Sequence, residues 1–306
     1  MDKKSLRGSF TLLITAIVWG VAFTAQSKGM DYIGPFTFNA VRFLLGGIVL
    51  IPAILVFSRK NAGEKKSKLL PDKKLIAGGI FCGLIIFSGN TLQQFGILHS
   101  SVGKAGFLTA LYIIIVPLIG IFLGRAIDKK VWVSVAAALI GMYLLCMKDG
   151  FSIKLGDTLL ILCAVVFSLH ILVIDRYSPY VDGIILSCMQ FFIAGILSLI
   201  CMFIFEKPSV SAILDAWLPL LYSSVMSCGV AYTLQIIGQK NVAPHLACLI
   251  LSLESVISAL AGWAILGQAM TWREISGCLI IFAAIILAQL PSGRAKKGVR
   301  TAEEVK

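Results

Sequence analysis

Two ionisable side chains lie deep inside apolar stretches of the sequence. Arg42 occurs in the run FNAVRFLLGGIVL, and Glu254 occurs in LILSLESVISAL. A charge near the centre of a membrane-spanning segment costs about 2.5–3.5 kcal/mol on insertion scales, so it usually faces a cavity or a partner. Arg42 could bind a ligand carboxylate through two parallel hydrogen bonds, or it could hold two helices together. Glu254 could exchange a proton, or it could be the ion-pair partner of Arg42.

Uncharged polar and aromatic residues recur in the same apolar runs. The pattern TLQ-x-x-G occurs at 91–96 and again at 233–238. In lipid such groups need hydrogen-bond partners, and bonds between helices, at about 0.6–2 kcal/mol each, are the usual outcome. The alternative is a shared ligand-binding lining, and we predict that lining to comprise, with Arg42, the residues Trp19, Asn39, Gln93, Tyr112, Gln190, Tyr232 and Gln235.

Catalytic and metal-binding patterns are nearly absent. His170 and Asp175 form an H-x4-D spacing, but no HExxH, GxSxG or P-loop pattern accompanies it, and the eight cysteines include no CxxC pair. We therefore predict no catalytic residue, no metal, no cofactor and no enzymatic activity. A membrane-embedded enzyme that uses His170 or Glu254 stays open as an alternative.

The composition places these residues in a membrane protein. The chain of 306 residues is 58% hydrophobic and 14% charged, with a mean hydropathy of +0.93, whereas soluble domains are about 25% charged. A bilayer-spanning helix needs about 20 apolar residues. The sequence contains ten such stretches, at 9–27, 35–57, 75–98, 103–124, 130–147, 156–174, 183–205, 213–238, 243–267 and 272–290.

The net charge of +12 is distributed along the chain in the way that membrane topology requires, and not in the way that nucleic-acid binding would require. With ten spans and a cytoplasmic amino terminus, the cytoplasmic segments hold 20 of the 27 Lys and Arg residues, and the opposite side holds six. This asymmetry follows the positive-inside rule. It predicts a multi-pass plasma membrane protein with both termini in the cytoplasm. We expect the lipid bilayer as a partner and no nucleic acid.

The two halves of the chain repeat one another. An offset of 142 residues aligns the TLQ-x-x-G copies and continues to Leu111 and Leu253, whereas nearer the amino ends an offset of 148 pairs Arg42 with Gln190. Five spans per half is an odd number, so the second copy must enter the membrane upside down. Such inverted repeats are a recurrent architecture of secondary transporters. We predict an all-α membrane protein of ten transmembrane helices arranged as two inverted five-helix repeats, at 9–148 and 156–290, with a cytoplasmic tail at 291–306.

The sequence resembles the drug/metabolite transporter superfamily and, within it, the EamA-type family. The resemblance rests on AIVWGVAF at 16–23, FNAVRFLLGGIVL at 38–50, SSVGKAGFLTALYIIIVPLIGIFLGR at 100–125 and APHLACLILSLESVISALAGWAILGQ at 243–268. It implies two five-helix halves, a central substrate cavity and transport of small metabolites, often export. Two departures stand out. Ile113 and Ser255 replace the proline common in this family after Tyr112 and Glu254, and Arg125 and Gln268 replace a Glu.

These observations predict a secondary transporter that moves a small metabolite, such as an amino acid or a related organic solute, by alternating access. The predicted direction of transport is efflux. The predicted partner is a small-molecule substrate, and a homodimer is possible. Glu254 is the candidate for proton coupling or for an ion pair. A passive channel or membrane scaffold is the second alternative, and the inverted halves favour a carrier over it.

Overall fold

The molecule is built from helices and is described here by a computed structural model. The structure describes residues 3–60, 72–100, 102–146, 154–266 and 270–290, and these ranges contain no strand. The predicted tail at 291–306 lies outside the described residues. The all-helical prediction is confirmed for the described ranges.

The first repeat contains six helices that form five spans. Their bounds are α1 Lys3–Gly29, α2 Pro35–Lys60, α3 Lys73–Leu98, α4 Val102–Thr109, α5 Tyr112–Phe122 and α6 Lys129–Cys146. The second repeat comprises α7 Leu155–Tyr177, α8 Gly183–Phe205, α9 Val210–Asp215, α10 Trp217–Leu221, a π-helical segment Tyr222–Tyr232, α11 Thr233–Gln239, α12 Pro244–Leu251, α13 Leu253–Leu266 and α14 Trp272–Gln289.

Nine stretches in the described ranges are long and apolar enough to cross a membrane. They coincide with the predicted spans except at α6, which is the fifth predicted span and packs against α14. Large apolar side chains on the outer faces of the helices are exposed, among them Phe10, Ile48, Phe81, Phe203 and Leu279. Because lipid tails are as apolar as these side chains, exposure to lipid costs little. The chain is a multi-pass membrane protein.

Each major contact between helices has a matching contact between the equivalent helices of the other repeat. Helix α2 packs against its equivalent α8, and α6 packs against its equivalent α14. The contact of α3 with α7 is matched by that of α1 with the π segment and α11, and the contact of α4 and α5 with α7 is matched by that of α12 and α13 with α1. A two-fold relation between the repeats produces this pattern, and with five spans each the second repeat is inverted.

Two close helix crossings show the same relation at single residues. A Cβ on Gly96 would lie 2.5 Å from Leu160 Cγ and 3.2 Å from the Gly156 carbonyl oxygen. The equivalent crossing places Gly238 against Leu12 Cγ at 2.9 Å and the Gly8 oxygen at 3.0 Å. Both glycines of the TLQ-x-x-G pattern therefore let two helix backbones approach closely, which is the usual role of small residues in membrane helix packing.

Two features of the helices differ from the continuous spans that the sequence predicts. The fourth span breaks between Thr109 and Tyr112, and the ninth breaks at Ser252. Neither Tyr112 nor Glu254, which come after these breaks, is directly followed by a proline. The eighth span is α-helical at its ends but a π-helix over Tyr222–Tyr232, whereas its equivalent in α3 is regular. π-Helical turns are rare and concentrate at functional sites.

Candidate functional site

A cavity lies between the two repeats, and residues from both line it. Its free volume is about 40 Å³, which is room for a few water molecules. Several lining positions form equivalent pairs, so the cavity lies on the two-fold axis between the repeats. The lining residues are Trp19, Phe23, Gln26, Arg42, Asn90, Gln93, Thr109, Tyr112, Phe167, His170, Ile171, Ser227, Tyr232, Gln235, Leu251 and Glu254.

Arg42 reaches this cavity from α2 and is held by two neutral amides. Its Nη1 donates to Gln26 Oε1 at 3.0 Å, and its Nη2 donates to Asn90 Oδ1 at 2.6 Å. Asn90 Nδ2 in turn donates to the Tyr232 hydroxyl at 3.2 Å. The guanidinium is thereby fixed by residues of α1 and α3, and through Asn90 it is connected to the second repeat.

The charge of Arg42 has no counter-charge among the described residues. Arg42 takes no part in the ion pairs seen there, such as Lys28–Asp31 and Arg125–Asp175. Its Nε has no hydrogen-bond partner among the described residues, and the residue is 1% exposed. The rings of Phe38 and Phe43 lie 5.4 and 4.8 Å from Cζ, which adds a modest cation–π attraction. A buried charge without an opposite charge is costly. The site therefore favours an anionic group beside Arg42.

Glu254 enters the cavity from the second repeat and bonds to Tyr112. The Tyr112 hydroxyl donates to Glu254 Oε1 at 3.0 Å. Both residues stand in the first turn after a helix break, at the starts of α5 and α13, where the helix dipole favours negative charge. Arg42 and Glu254 line one cavity but form no ion pair with each other.

Aromatic side chains cover part of the wall between these groups. The Trp19 and Tyr232 rings meet edge to face with centroids 4.6 Å apart, and Phe23 and Phe167 also line the cavity. Trp19 Nε1 is buried without a partner among the described residues. The wall combines apolar surface with one free N–H donor, as small-molecule sites commonly do.

The predicted lining residues separate into two groups. Six of the eight predicted binding residues line the cavity together with Glu254, whereas Asn39 and Gln190 lie outside the lining. The six are Trp19, Arg42, Gln93, Tyr112, Tyr232 and Gln235. Asn39 is fully buried on α2, one turn before Arg42. Gln190 lies behind the lining, where its Oε1 is 3.1 Å from His170 Nε2.

Several lining residues escaped the sequence analysis. Gln26 and Asn90, which hold Arg42, are single amides in apolar runs, and that is the signal by which they could be found. His170 was singled out only for its spacing to Asp175. The structure separates the two, because His170 faces the cavity and Asp175 pairs with Arg125. In the described ranges no group of three or more His, Cys, Asp and Glu residues could hold a metal ion.

Contacts between repeat-equivalent residues mark the two-fold axis at the site. Tyr112 bonds to Glu254, and Asn90 bonds to Tyr232, each across the repeat offset of 142 residues. Phe43 stacks on Phe191 with centroids 6.0 Å apart, a pair related by the offset of 148. Residues that are equivalent can touch one another only beside the axis, so both charged groups of the cavity are held there.

Comparison with known proteins identifies the same architecture elsewhere. A family model described as the EamA-like transporter family matches residues 6–147 and again 154–290. An uncharacterized transporter of Archaeoglobus fulgidus is 29% identical over 94% of this chain and 87% of its own length. An uncharacterized inner membrane transporter of Escherichia coli K12, YedA, is 24% identical over 90% of this chain and 88% of its own. A solved crystal structure superposes with a TM-score of 0.74 at 19% identity, covering 94% of this chain and 96% of that one, which shows a shared fold.

Proposed function

The chain belongs to the EamA-like transporter family, and on that premise we propose that it is a secondary transporter that moves a small metabolite outward by alternating access. The proposed cargo is an amino acid or a related organic solute. The observation that carries this proposal is a cavity on the axis between the repeats that contains Arg42 and Glu254 without an ion pair between them. A positive and a negative group that do not neutralise each other fit a cargo that carries both charges.

Each charged group has a role in this proposal. Arg42 binds the cargo carboxylate, because a guanidinium suits a planar anion and the cavity provides it with only neutral acceptors. Glu254 binds the cargo ammonium or a proton, and the two compete for the same carboxyl. Such competition couples cargo movement to a proton gradient. Trp19 and Phe167, which are equivalent positions, receive the apolar part of the cargo.

The inverted repeats supply the conformational part of the proposal. When two inverted halves exchange conformations, a site between them faces first one side of the membrane and then the other. The narrow cavity of about 40 Å³ must widen to admit an amino acid. This requirement favours a carrier that changes shape over a passive channel, whose pore must already be open.

We further propose a plasma membrane location with both termini in the cytoplasm. The support is the distribution of Lys and Arg, 20 of 27 of which fall on the side of the termini. The relative in Escherichia coli is described as an inner membrane transporter. A tag on the carboxyl terminus that a protease reaches only in inside-out vesicles would support this orientation.

The decisive experiment is transport by the purified chain in proteoliposomes. A panel of radiolabelled amino acids, decarboxylated amines and deaminated carboxylic acids is offered, with and without a pH gradient. We expect saturable counterflow for amino acids and weaker transport of compounds that lack either charge. Flux without saturation or counterflow would indicate a channel. No transport of any compound in the panel would reject the proposed cargo class.

A further inference from the structure

Several polar contacts join the repeats away from the axis, and two that involve charged side chains lie at opposite ends of the bundle. The first links Arg125, just after α5, to Asp175 in the last turn of α7. Arg125 Nη2 donates to Asp175 Oδ2 at 2.6 Å, and the side chains are 43% and 23% exposed. This contact lies at the end of the bundle that carries the chain termini, because successive spans alternate in direction.

The second contact lies at the opposite end, between α8 and α2. Glu206, which follows the last residue of α8, accepts hydrogen bonds from the backbone N–H groups of Phe36 and Thr37 at 2.8 Å each and from Thr37 Oγ1 at 2.6 Å. A carboxylate at a helix amino terminus satisfies free N–H groups and the helix dipole. Gly34 leaves the space, since a Cβ there would lie 2.5 Å from Glu206 Cδ.

Among the described residues, this capping of α2 has no counterpart in the other repeat. Ile184 and Ile185 on α8 are equivalent to Phe36 and Thr37, but their N–H groups bond to Asp182 Oδ1 at 2.8 and 3.1 Å. Asp182 belongs to the same repeat as Ile184 and Ile185, so these hydrogen bonds do not connect the two repeats. The amino terminus of α2 is thus capped by a residue of the other repeat, whereas the equivalent amino terminus of α8 is capped within its own repeat.

The two kinds of contact respond differently when the repeats exchange conformations. When the repeats exchange conformations, a bond between equivalent residues, such as Tyr112 with Glu254, still joins the same two residues and need not break. A bond between non-equivalent residues of the two repeats maps onto a different pair, so it can be made in one state and lost in the other when the equivalent pair lacks the same chemistry. Arg125–Asp175 and Glu206–α2 are of this second kind.

We propose that these two contacts are the gates of the transporter and that each closes one end of the central cavity. The proposal rests on the alternating access proposed above. Both gates are made in the present conformation, in agreement with the narrow cavity of about 40 Å³ between them. Loss of Arg125–Asp175 opens the end with the chain termini, and loss of Glu206–α2 opens the other.

The test measures from which side the cavity can be reached. Ser227, which lines the cavity, is replaced by Cys in the full chain, and a charged membrane-impermeant thiol reagent is applied to either face of sealed vesicles. A protease-sensitive carboxyl-terminal tag identifies the face. Labelling of matching chains that retain Ser227 is subtracted, which removes the contribution of the native cysteines.

Each gate has a variant and a matched control. Glu206→Gln keeps an oxygen acceptor but removes the charge, and its control is Asp182→Asn, which weakens the cap of α8 within one repeat. Asp175→Asn removes the charge of the other gate, and its control is Asp31→Asn, which breaks the exposed Lys28–Asp31 pair within one repeat. None of these four residues lines the cavity.

We expect the two gate variants to increase labelling from opposite sides of the membrane. Asp175→Asn should raise the labelling rate from the terminal side roughly two- to fivefold, as suits a half-exposed ion pair. Glu206→Gln should raise labelling from the opposite side by roughly tenfold, because three hydrogen bonds to a charged acceptor weaken together. Both controls should change labelling from neither side.

The gate proposal falls if both variants open the same side, if neither changes labelling, or if the controls match the gate variants. Labelling requires no cargo, so sidedness can be found even when every compound of the transport panel fails. Conversely, transport with unchanged labelling would reject the gates and leave the proposed function standing.

Discussion

Arg42 on α2 and Gln190 on α8 occupy equivalent positions of two repeats that pack alike but carry different chemistry. Arg42 lines the cavity and bonds to Gln26 and Asn90. Gln190 is fully buried behind the lining and bonds to His170. The same backbone position therefore serves as a charged wall in one repeat and as support for an imidazole in the other.

The carboxyl side of the cavity shows the reverse asymmetry. Glu254 belongs to the second repeat, and its equivalent in the first repeat is Tyr112, which bonds to it. The shared frame gives the repeats the symmetry that an exchange of conformations requires, while the differences set a positive group on one repeat and a negative group on the other. In the proposed transport cycle, the symmetry of the repeats would allow the movement and their asymmetry would select the cargo.

Arg42→Gln makes the two equivalent positions identical and should have the largest effect. Losing a charged hydrogen-bond donor to the cargo carboxylate should lower the rate of counterflow roughly ten- to a hundredfold. The rate is measured in proteoliposomes at equal amounts of inserted protein. Arg176→Gln, which removes an exposed charge at the end of α7, is the control and should leave the rate unchanged. Full activity of Arg42→Gln would remove Arg42 from the site.

Glu254→Gln tests the negative half of the comparison. The amide can still accept the bond from Tyr112 but cannot release a proton, so stimulation by a pH gradient should vanish while counterflow stays within roughly fivefold of the parent. Transport is compared with and without the gradient. Asp215→Asn, an exposed carboxyl outside the cavity, should keep the stimulation. Persistent stimulation in Glu254→Gln would end the proposed proton role.

Asn90→Ala weakens the connection between Arg42 and the second repeat. The change removes the acceptor for Arg42 Nη2 and the donor to Tyr232, so the guanidinium loses its fixed orientation. We expect KM to rise roughly five- to tenfold with a smaller change in maximal rate. The control is Ser88→Ala on α3, whose hydroxyl donates to the Leu84 carbonyl on an exposed face. An equal loss in the control would assign the effect to helix stability.

Gly96→Ala and Gly238→Ala test the symmetry of the frame and should have the smallest effect on transport. Each adds a methyl group within 3 Å of a leucine of the other repeat, and overpacking of this kind costs about 1–3 kcal/mol. Both variants should lower the melting temperature in detergent by similar amounts. Gly106→Ala, where the nearest atom is 3.7 Å away, should not. Clearly unequal shifts would show that the two crossings differ in tightness.

Much of the fold was predictable because it depends on patterns along the chain. Apolar runs long enough to span a membrane predict the helices, and the two copies of TLQ-x-x-G predict the duplication. The breaks before Tyr112 and at Ser252 and the π segment were not predicted. No proline marks either break, and a π-helix differs from an α-helix by a hydrogen-bond shift that packing decides.

The site was predictable in part for a similar reason. Charged and amide residues in apolar runs are visible in the sequence, and Arg42, Glu254, Gln93 and Gln235 all line the cavity. Asn39 and Gln190 are equally conspicuous, yet they face the packing between helices. The rotation of a helix about its own axis separates these cases, and neighbours on other helices set that rotation.

By itself the sequence determined the membrane class, the number of spans, the repeat and its inversion, because hydropathy, length and an odd span count require no knowledge of packing. Only the tertiary structure decided that Arg42 bonds to Gln26 and Asn90 rather than to Glu254. It also decided that equivalent residues meet at the axis and that non-equivalent ones join at the two ends. Partners in space depend on how ten helices tilt and rotate against one another, and the packing of both repeats together fixes those angles.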